Sequence, residues 1–146
     1  VGAGLGGVGV GVGAGPHYGA ALLIDYGENV TQADSLRAFH RHTQVSPLSQ
    51  PGLSDLTADV DFSLCSAAAA SKGAKVALLT QGEFLMRMGI VPRVEALLEL
   101  ESTTDEQAAA LVSSLKYLVQ GEHMGARFKV LAVAAPSLGV TGFDSA

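Results

Sequence analysis

The chain has 146 residues, enough for one modest core, and a net charge of -5. Its nine Lys and Arg are scattered and Trp is absent, which excludes a nucleic-acid surface built on phosphate contacts and base stacking. The single cysteine, Cys65, excludes an internal disulfide framework and a cysteine-rich zinc site. Set in an alanine-rich run, Cys65 is expected to be a buried structural thiol.

The chain begins at Val1 rather than Met, which leads us to expect a fragment or a processed product. Residues 1–24 carry no formal charge apart from protonation of His17. Eight of the first fifteen residues are Gly, however, and Pro16 follows. Glycine adds almost no apolar area, and a span needs about 20 predominantly apolar residues. No membrane span is expected, and the basic start of a secretory signal is missing. Gly2-Ala3-Gly4-Leu5-Gly6-Gly7 matches the dinucleotide fingerprint. That fingerprint has meaning only after a strand and before a helix, and neither fits here. Residues 1–19 are therefore expected to be a low-complexity, disordered segment that binds no cofactor.

Ala20-Ala21-Leu22-Leu23-Ile24 is an apolar run ending at Asp25-Tyr26-Gly27. It predicts a strand over 20–25, buried on both faces as in a parallel sheet. Ligands bind beyond the carboxyl ends of such strands, so Asp25 is either a site residue or a turn and capping residue. The mixed stretch 33–42 predicts a helical turn. If His40-Arg41-His42 is extended, two imidazoles share one side. They serve either a metal with a further ligand or, with Arg41 opposing a dication, hydrogen bonding and substrate contact. Residues 45–52, with Pro47 and Pro51, are loop.

Residues 55–61 pack Asp55, Thr57, Asp59 and Asp61 among the apolar Leu53, Leu56, Val60 and Phe62. Two readings stand: a pinned binding loop, or a loop whose carboxylates only cap the next helix. Asp61 is assigned as the cap of a helix over 61–72, stopped by Gly73. A second strand is predicted over 75–79. Thr80 and Glu83 form a capping box for a helix ending at Gly89, and Pro92 begins another. Thr104 and Gln107 box the start of a helix over 105–119, whose apolar stripe faces a core. A third strand covers 128–134, and residues 136–146 are expected to be a loose tail. The fold class is α/β, about three strands with four or five helices, the second half of a larger domain.

The order of these segments resembles a known family. Ala21-Leu22-Leu23-Ile24-Asp25-Tyr26-Gly27 is followed by Ser35-Leu36-Arg37-Ala38-Phe39 and His42, then by Pro51-Gly52. The run Asp55-Leu56-Thr57-Ala58-Asp59-Val60-Asp61-Phe62 comes next, then Gln81-Gly82-Glu83-Phe84-Leu85 with Met88-Gly89-Ile90. Met124-Gly125 and Phe128-Lys129 close the series. Over residues 20–135 the chain is similar to the C-terminal part of the MidA-like family of S-adenosylmethionine-dependent methyltransferases. The resemblance implies a Rossmann-like sheet whose fifth, sixth and seventh strands are 20–25, 75–79 and 128–134. It also implies symmetric dimethylation of an arginine on a respiratory complex I subunit, in support of complex I assembly in mitochondria. The family's glycine-rich cofactor loop and acidic strand lie upstream of the fifth strand, so no cofactor-binding residue is expected in this chain.

Arginine methylation requires carboxylates that hold and orient a guanidinium. Asp25, Asp55 and Asp59, with Thr57 and His42 beside them, are the substrate-binding candidates. No catalytic residue and no metal ligand is assigned. The alternative is a non-catalytic binding module, or a truncated gene product, that docks a partner protein through residues 40–62.

Overall fold

The computed structural model describes residues 19–31 and 34–143. The glycine-rich run 1–15 lies outside the described residues. Three long strands carry the fold: β1 (Ala20–Glu28), β6 (Lys75–Thr80) and β7 (Phe128–Ala134). With the two-residue β5 (Val60–Asp61) they form one sheet in the order β5-β1-β7-β6. β7 is antiparallel to both neighbours, with Tyr26 opposite Phe128 and Thr80 opposite Lys129. β1 and β5 are parallel, joined at Gly27–Val60 and Glu28–Asp61. All three expected strands therefore share one sheet.

β7 is central, and Val130, Leu131, Ala132 and Ala134 form the core together with Phe62. A strand covered on both faces tolerates an apolar run, which β7 has from Val130 to Ala134, with Lys129 the one charged residue before it. β1 opens with a similar apolar run, Ala20 to Ile24, but holds a different position. Beyond its short pairing with β5, its outer edge has no partner among the described residues over 20–26. Leu22, Leu23 and Ile24 are 47%, 39% and 52% exposed. The expected burial of this strand is thus not met, and it runs three residues past Asp25.

A second sheet of three short strands, β3-β2-β4, was not expected. β2 (Arg37–His40) replaces the anticipated helical turn, and it pairs antiparallel with β3 (Thr43–Val45) and β4 (Asp55–Thr57). Arg41 and His42 have φ of 49° and 62° and form the turn between β2 and β3. The extended arrangement of the two imidazoles is therefore absent. His40 Nδ1 lies 2.6 Å from the Leu53 carbonyl and donates to it.

The helices follow local rules more closely. α1 (Phe62–Ala70) starts at Asp61, whose carboxylate accepts from the Leu64 amide at 3.0 Å and from the Ser63 hydroxyl at 2.5 Å. Both expected capping boxes form: Thr80 with Glu83 on α2 (Gln81–Arg87), and Thr104 with Gln107 on α4 (Asp105–Val119). α3 (Ile90–Leu98) follows Gly89, which adopts φ 80°. α1 packs on β6, β7 and β1. α4 packs chiefly on α2, α3 and the short α5 (Met124–Arg127), so it belongs to a helical layer rather than resting on the sheet as expected. Cys65 is half-buried on α1, not buried. After β7 the chain returns to α2: Phe143 stacks 5.5 Å from Phe84, and Arg87 donates to the Gly142 carbonyl.

Two stability predictions arise here. Thr80→Ala removes the cap between β6 and α2 and should cost about 1 kcal/mol in urea unfolding. Asp61 is held below its ordinary carboxylate value, first by the Ser63 hydroxyl and then by the Leu64 amide. Glu83 is lowered by the Thr80 amide and hydroxyl. Between the folded and unfolded values the unfolded state binds more protons, so stability falls as pH drops through the folded values. Asp61→Asn should flatten that acid limb of the melting-temperature profile, and an unchanged slope would remove the cap from the account.

Candidate functional site

The two sheets meet at Asp59. β4 ends at Thr57 and β5 begins at Val60, so Ala58 and Asp59 carry the chain from one sheet to the other. Asp59 Oδ1 accepts from two guanidinium groups, Arg37 of β2 and Arg127 at the end of α5, the latter at 2.9 Å. Its amide donates to Ser35 Oγ at 3.0 Å. The Asp59 side chain is 4% exposed while those of Arg37 and Arg127 are 30% and 43% exposed. The carboxylate is thus sunk beneath two cations that still reach solvent.

Tyr26 holds those cations from the other side. The guanidinium carbons of Arg37 and Arg127 lie 5.5 Å and 5.9 Å from its ring centroid, within cation–π range. The ring meets Phe128 edge-on at 5.6 Å. Tyr26, Arg37, Phe39, Thr57, Arg127 and Phe128 line an open cleft of about 290 Å³. Arg37 Nε is buried and donates to no acceptor among the described residues.

The candidates from the sequence separate into three groups. Asp55 and Thr57 share one face of β4, opposite Phe39 and Arg37 of β2. Thr57 lines the cleft, and Asp55 is exposed and lies next to it along the strand. Asp59 belongs to the same cluster but is already engaged by two arginines. Asp25 and His42 stand apart. Asp25 lies inside β1, on the opposite face from Tyr26, and accepts from the Tyr26 amide at 2.7 Å. His42 is exposed in the hairpin turn. No metal-holding group of three His, Cys, Asp or Glu occurs among the described residues. The sequence reading missed Tyr26, Arg37 and Arg127. Tyr26 and Arg37 sit in segments that carry the family resemblance, but nothing local to Arg127 signals a partner 68 positions away.

Residues 11–80 match the family described as "Putative S-adenosyl-L-methionine-dependent methyltransferase". The zebrafish (Danio rerio) protein named "Protein arginine methyltransferase NDUFAF7, mitochondrial" is 41% identical over 115 residues, 79% of this chain and 27% of that protein. The human protein of the same name is 38% identical over 115 residues, 79% of this chain and 26% of its own length. Over these residues the chain is similar to this methyltransferase family. A Burkholderia thailandensis protein solved with S-adenosyl-homocysteine superposes with a TM-score of 0.67 at 28% identity, covering 87% of this chain and 33% of that one. A second structure from the same organism gives 0.71 at 28% identity, covering 86% and 35%. The chain therefore spans about a quarter to a third of the relatives it matches.

The family's cofactor is S-adenosylmethionine, and three of the described glycines, Gly27, Gly82 and Gly125, are closed by this chain's own backbone. A cradle needs backbone open to close approach, usually at glycine. A Cβ at Gly27 would lie 2.8 Å from the Val60 amide nitrogen and closer still to its carbonyl oxygen. Gly82 and Gly125 are closed in the same way by the Val119 carbonyl. Each of these glycines serves packing between the chain's own elements.

Proposed function

We propose that the chain is the C-terminal, substrate-facing part of a mitochondrial S-adenosylmethionine-dependent protein arginine methyltransferase. Its finer activity is symmetric dimethylation of an arginine on a respiratory complex I subunit, in support of complex I assembly. The observation that carries this reading is the 38–41% identity, across about four fifths of the chain, to proteins named as mitochondrial arginine methyltransferases. The unpaired apolar edge of β1 supports it as well, because a sheet continued by further strands of the whole enzyme would cover Leu22, Leu23 and Ile24.

Within that enzyme Asp55 receives the substrate guanidinium. It is exposed, and its carboxylate makes no hydrogen bond or ion pair among the described residues. Thr57 adds a hydroxyl on the same face. Asp59 is a positioning residue that fixes β2, β4 and α5 around them. Asp25, on the other face of β1 from Tyr26, and His42, in the hairpin turn, are given no part in this contact.

The test is methyl transfer by the full-length enzyme to an arginine peptide drawn from the complex I subunits. Losing one charge-assisted contact should raise KM for Asp55→Asn about tenfold or more, with the melting temperature unchanged. Parent-like kinetics for Asp55→Asn would move the guanidinium site elsewhere. A full-length protein that binds the peptide without turnover would make it a binding module.

A further inference from the structure

Resting on that reading, we propose that the Tyr26–Arg37–Arg127 cleft binds a carboxylate side chain of the protein substrate, an Asp or Glu two positions from the methylated arginine. The lining carries two guanidinium groups and no carboxylate. The one counter-charge, Asp59, lies beneath them and is spent on both. Of the other acids near this end of β1, Glu28 is paired to Lys129 at 3.1 Å, Asp61 is engaged as the α1 cap, and Asp25 lies on the opposite face of β1 from Tyr26. The lining therefore keeps net positive charge. Arg37 gives one terminal nitrogen to Asp59 and leaves the other, Nη1, without a hydrogen bond among the described residues. Arg127 likewise commits a single terminal nitrogen. A planar guanidinium with unused donors matches a carboxylate better than any other common side chain.

Size and spacing narrow the ligand further. A volume of about 290 Å³ is at the lower limit of small-molecule pockets and suits one side chain better than a whole cofactor. Tyr26 and Phe128 wall the cleft with apolar surface for the methylenes of such a side chain. Along β4 the cleft residue Thr57 is preceded on the same face by Asp55. Residues two apart on a strand are about 6.6 Å apart. Arg37 lies opposite Thr57 and Phe39 opposite Asp55, so a cation held at Asp55 and an anion held over Thr57 beside Arg37 match the spacing of side chains i and i+2 on an extended peptide. A substrate lying along β4 satisfies both.

The experiment is fluorescence anisotropy with the full-length enzyme and short labelled Ala/Gly host peptides. One carries Arg-Ala-Glu, a second Arg-Ala-Gln, and a third moves the Glu one position closer, as Arg-Glu-Ala. The Arg-Ala-Glu peptide should bind about tenfold or more tightly than the Gln peptide, with the adjacent-Glu peptide near the Gln value. The advantage should shrink with added salt, because the cleft is open. Arg127→Gln should bring the Glu-to-Gln ratio toward one. The parent ratio is decisive by itself, so a variant that fails to fold does not shelter the idea. Equal binding of the Glu and Gln peptides overturns it and leaves the methyltransferase reading intact. Absence of methyl transfer to every arginine peptide, with the Glu preference retained, overturns the enzymatic reading instead.

Discussion

Asp59→Asn should lower the melting temperature by roughly 6–12 °C, a loss of about 2–3 kcal/mol for a chain of this size. The amide keeps the shape of the carboxylate but not its charge. Arg37 and Arg127 would then face each other over Tyr26 with only a neutral amide between them. Breaking a buried pair by removing one partner costs about 3–5 kcal/mol when the orphaned charge stays buried. Here both arginines are partly exposed and can turn toward water, which reduces the cost. Arg127→Gln should be milder, about 1 kcal/mol, because Arg37 still answers the carboxylate. The two substitutions should not add, since they share one oxygen of Asp59. A measured cost below about 0.5 kcal/mol for Asp59→Asn would show that the junction of the two sheets is held by packing alone.

The same residue shows where the sequence stops being legible. β6 and β7, the helix caps at Asp61, Thr80 and Thr104, and the stop at Gly89 all depend on neighbours within about four positions, and each was readable. The family resemblance supplied the methyltransferase sheet. β2 and β4 depend on each other across a gap of twenty residues, Arg37 opposite Thr57, and each strand is four residues or fewer. Such short strands have no periodicity to detect, and their pairing is decided by what lies between the sheets. β1 was readable as a strand but not as an exposed one. Val, Leu and Ile specify a strand equally well at the centre or at an edge, and only the sheet order separates β1 from β7. For the site, the carboxylates stood out as a local cluster, but their roles did not. Asp55 and Asp59 look alike in the sequence. In the fold one is exposed and the other is enclosed by an arginine 22 positions before it and another 68 positions after it.

Gly27→Ala should be more damaging than any substitution of the acidic cluster, at about 3 kcal/mol or more. The reason lies in what the new methyl group meets. Its neighbours are the nitrogen, carbonyl carbon and carbonyl oxygen of Val60, all backbone atoms, which cannot rotate aside as a side-chain end can. β5 pairs with β1 at Gly27–Val60 and Glu28–Asp61, so displacing Val60 dissolves half of that pairing. The displaced segment is flanked by Asp59 on one side and by Asp61, the α1 cap, on the other. The damage therefore spreads to the arginine cluster and to the start of the helix. Gly121→Ala is the control, because its added methyl meets only the Ala126 side chain at 3.7 Å, an ordinary contact. Urea unfolding should show Gly121→Ala within about 0.5 kcal/mol of the parent and Gly27→Ala far below it. In the full-length enzyme Gly27→Ala should also abolish the Glu-over-Gln peptide preference, because Arg37 and Arg127 lose their shared anchor. If Gly27→Ala unfolds like the parent, β5 is free to move away from β1, and the close approach of the two strands does not set the geometry of the cleft.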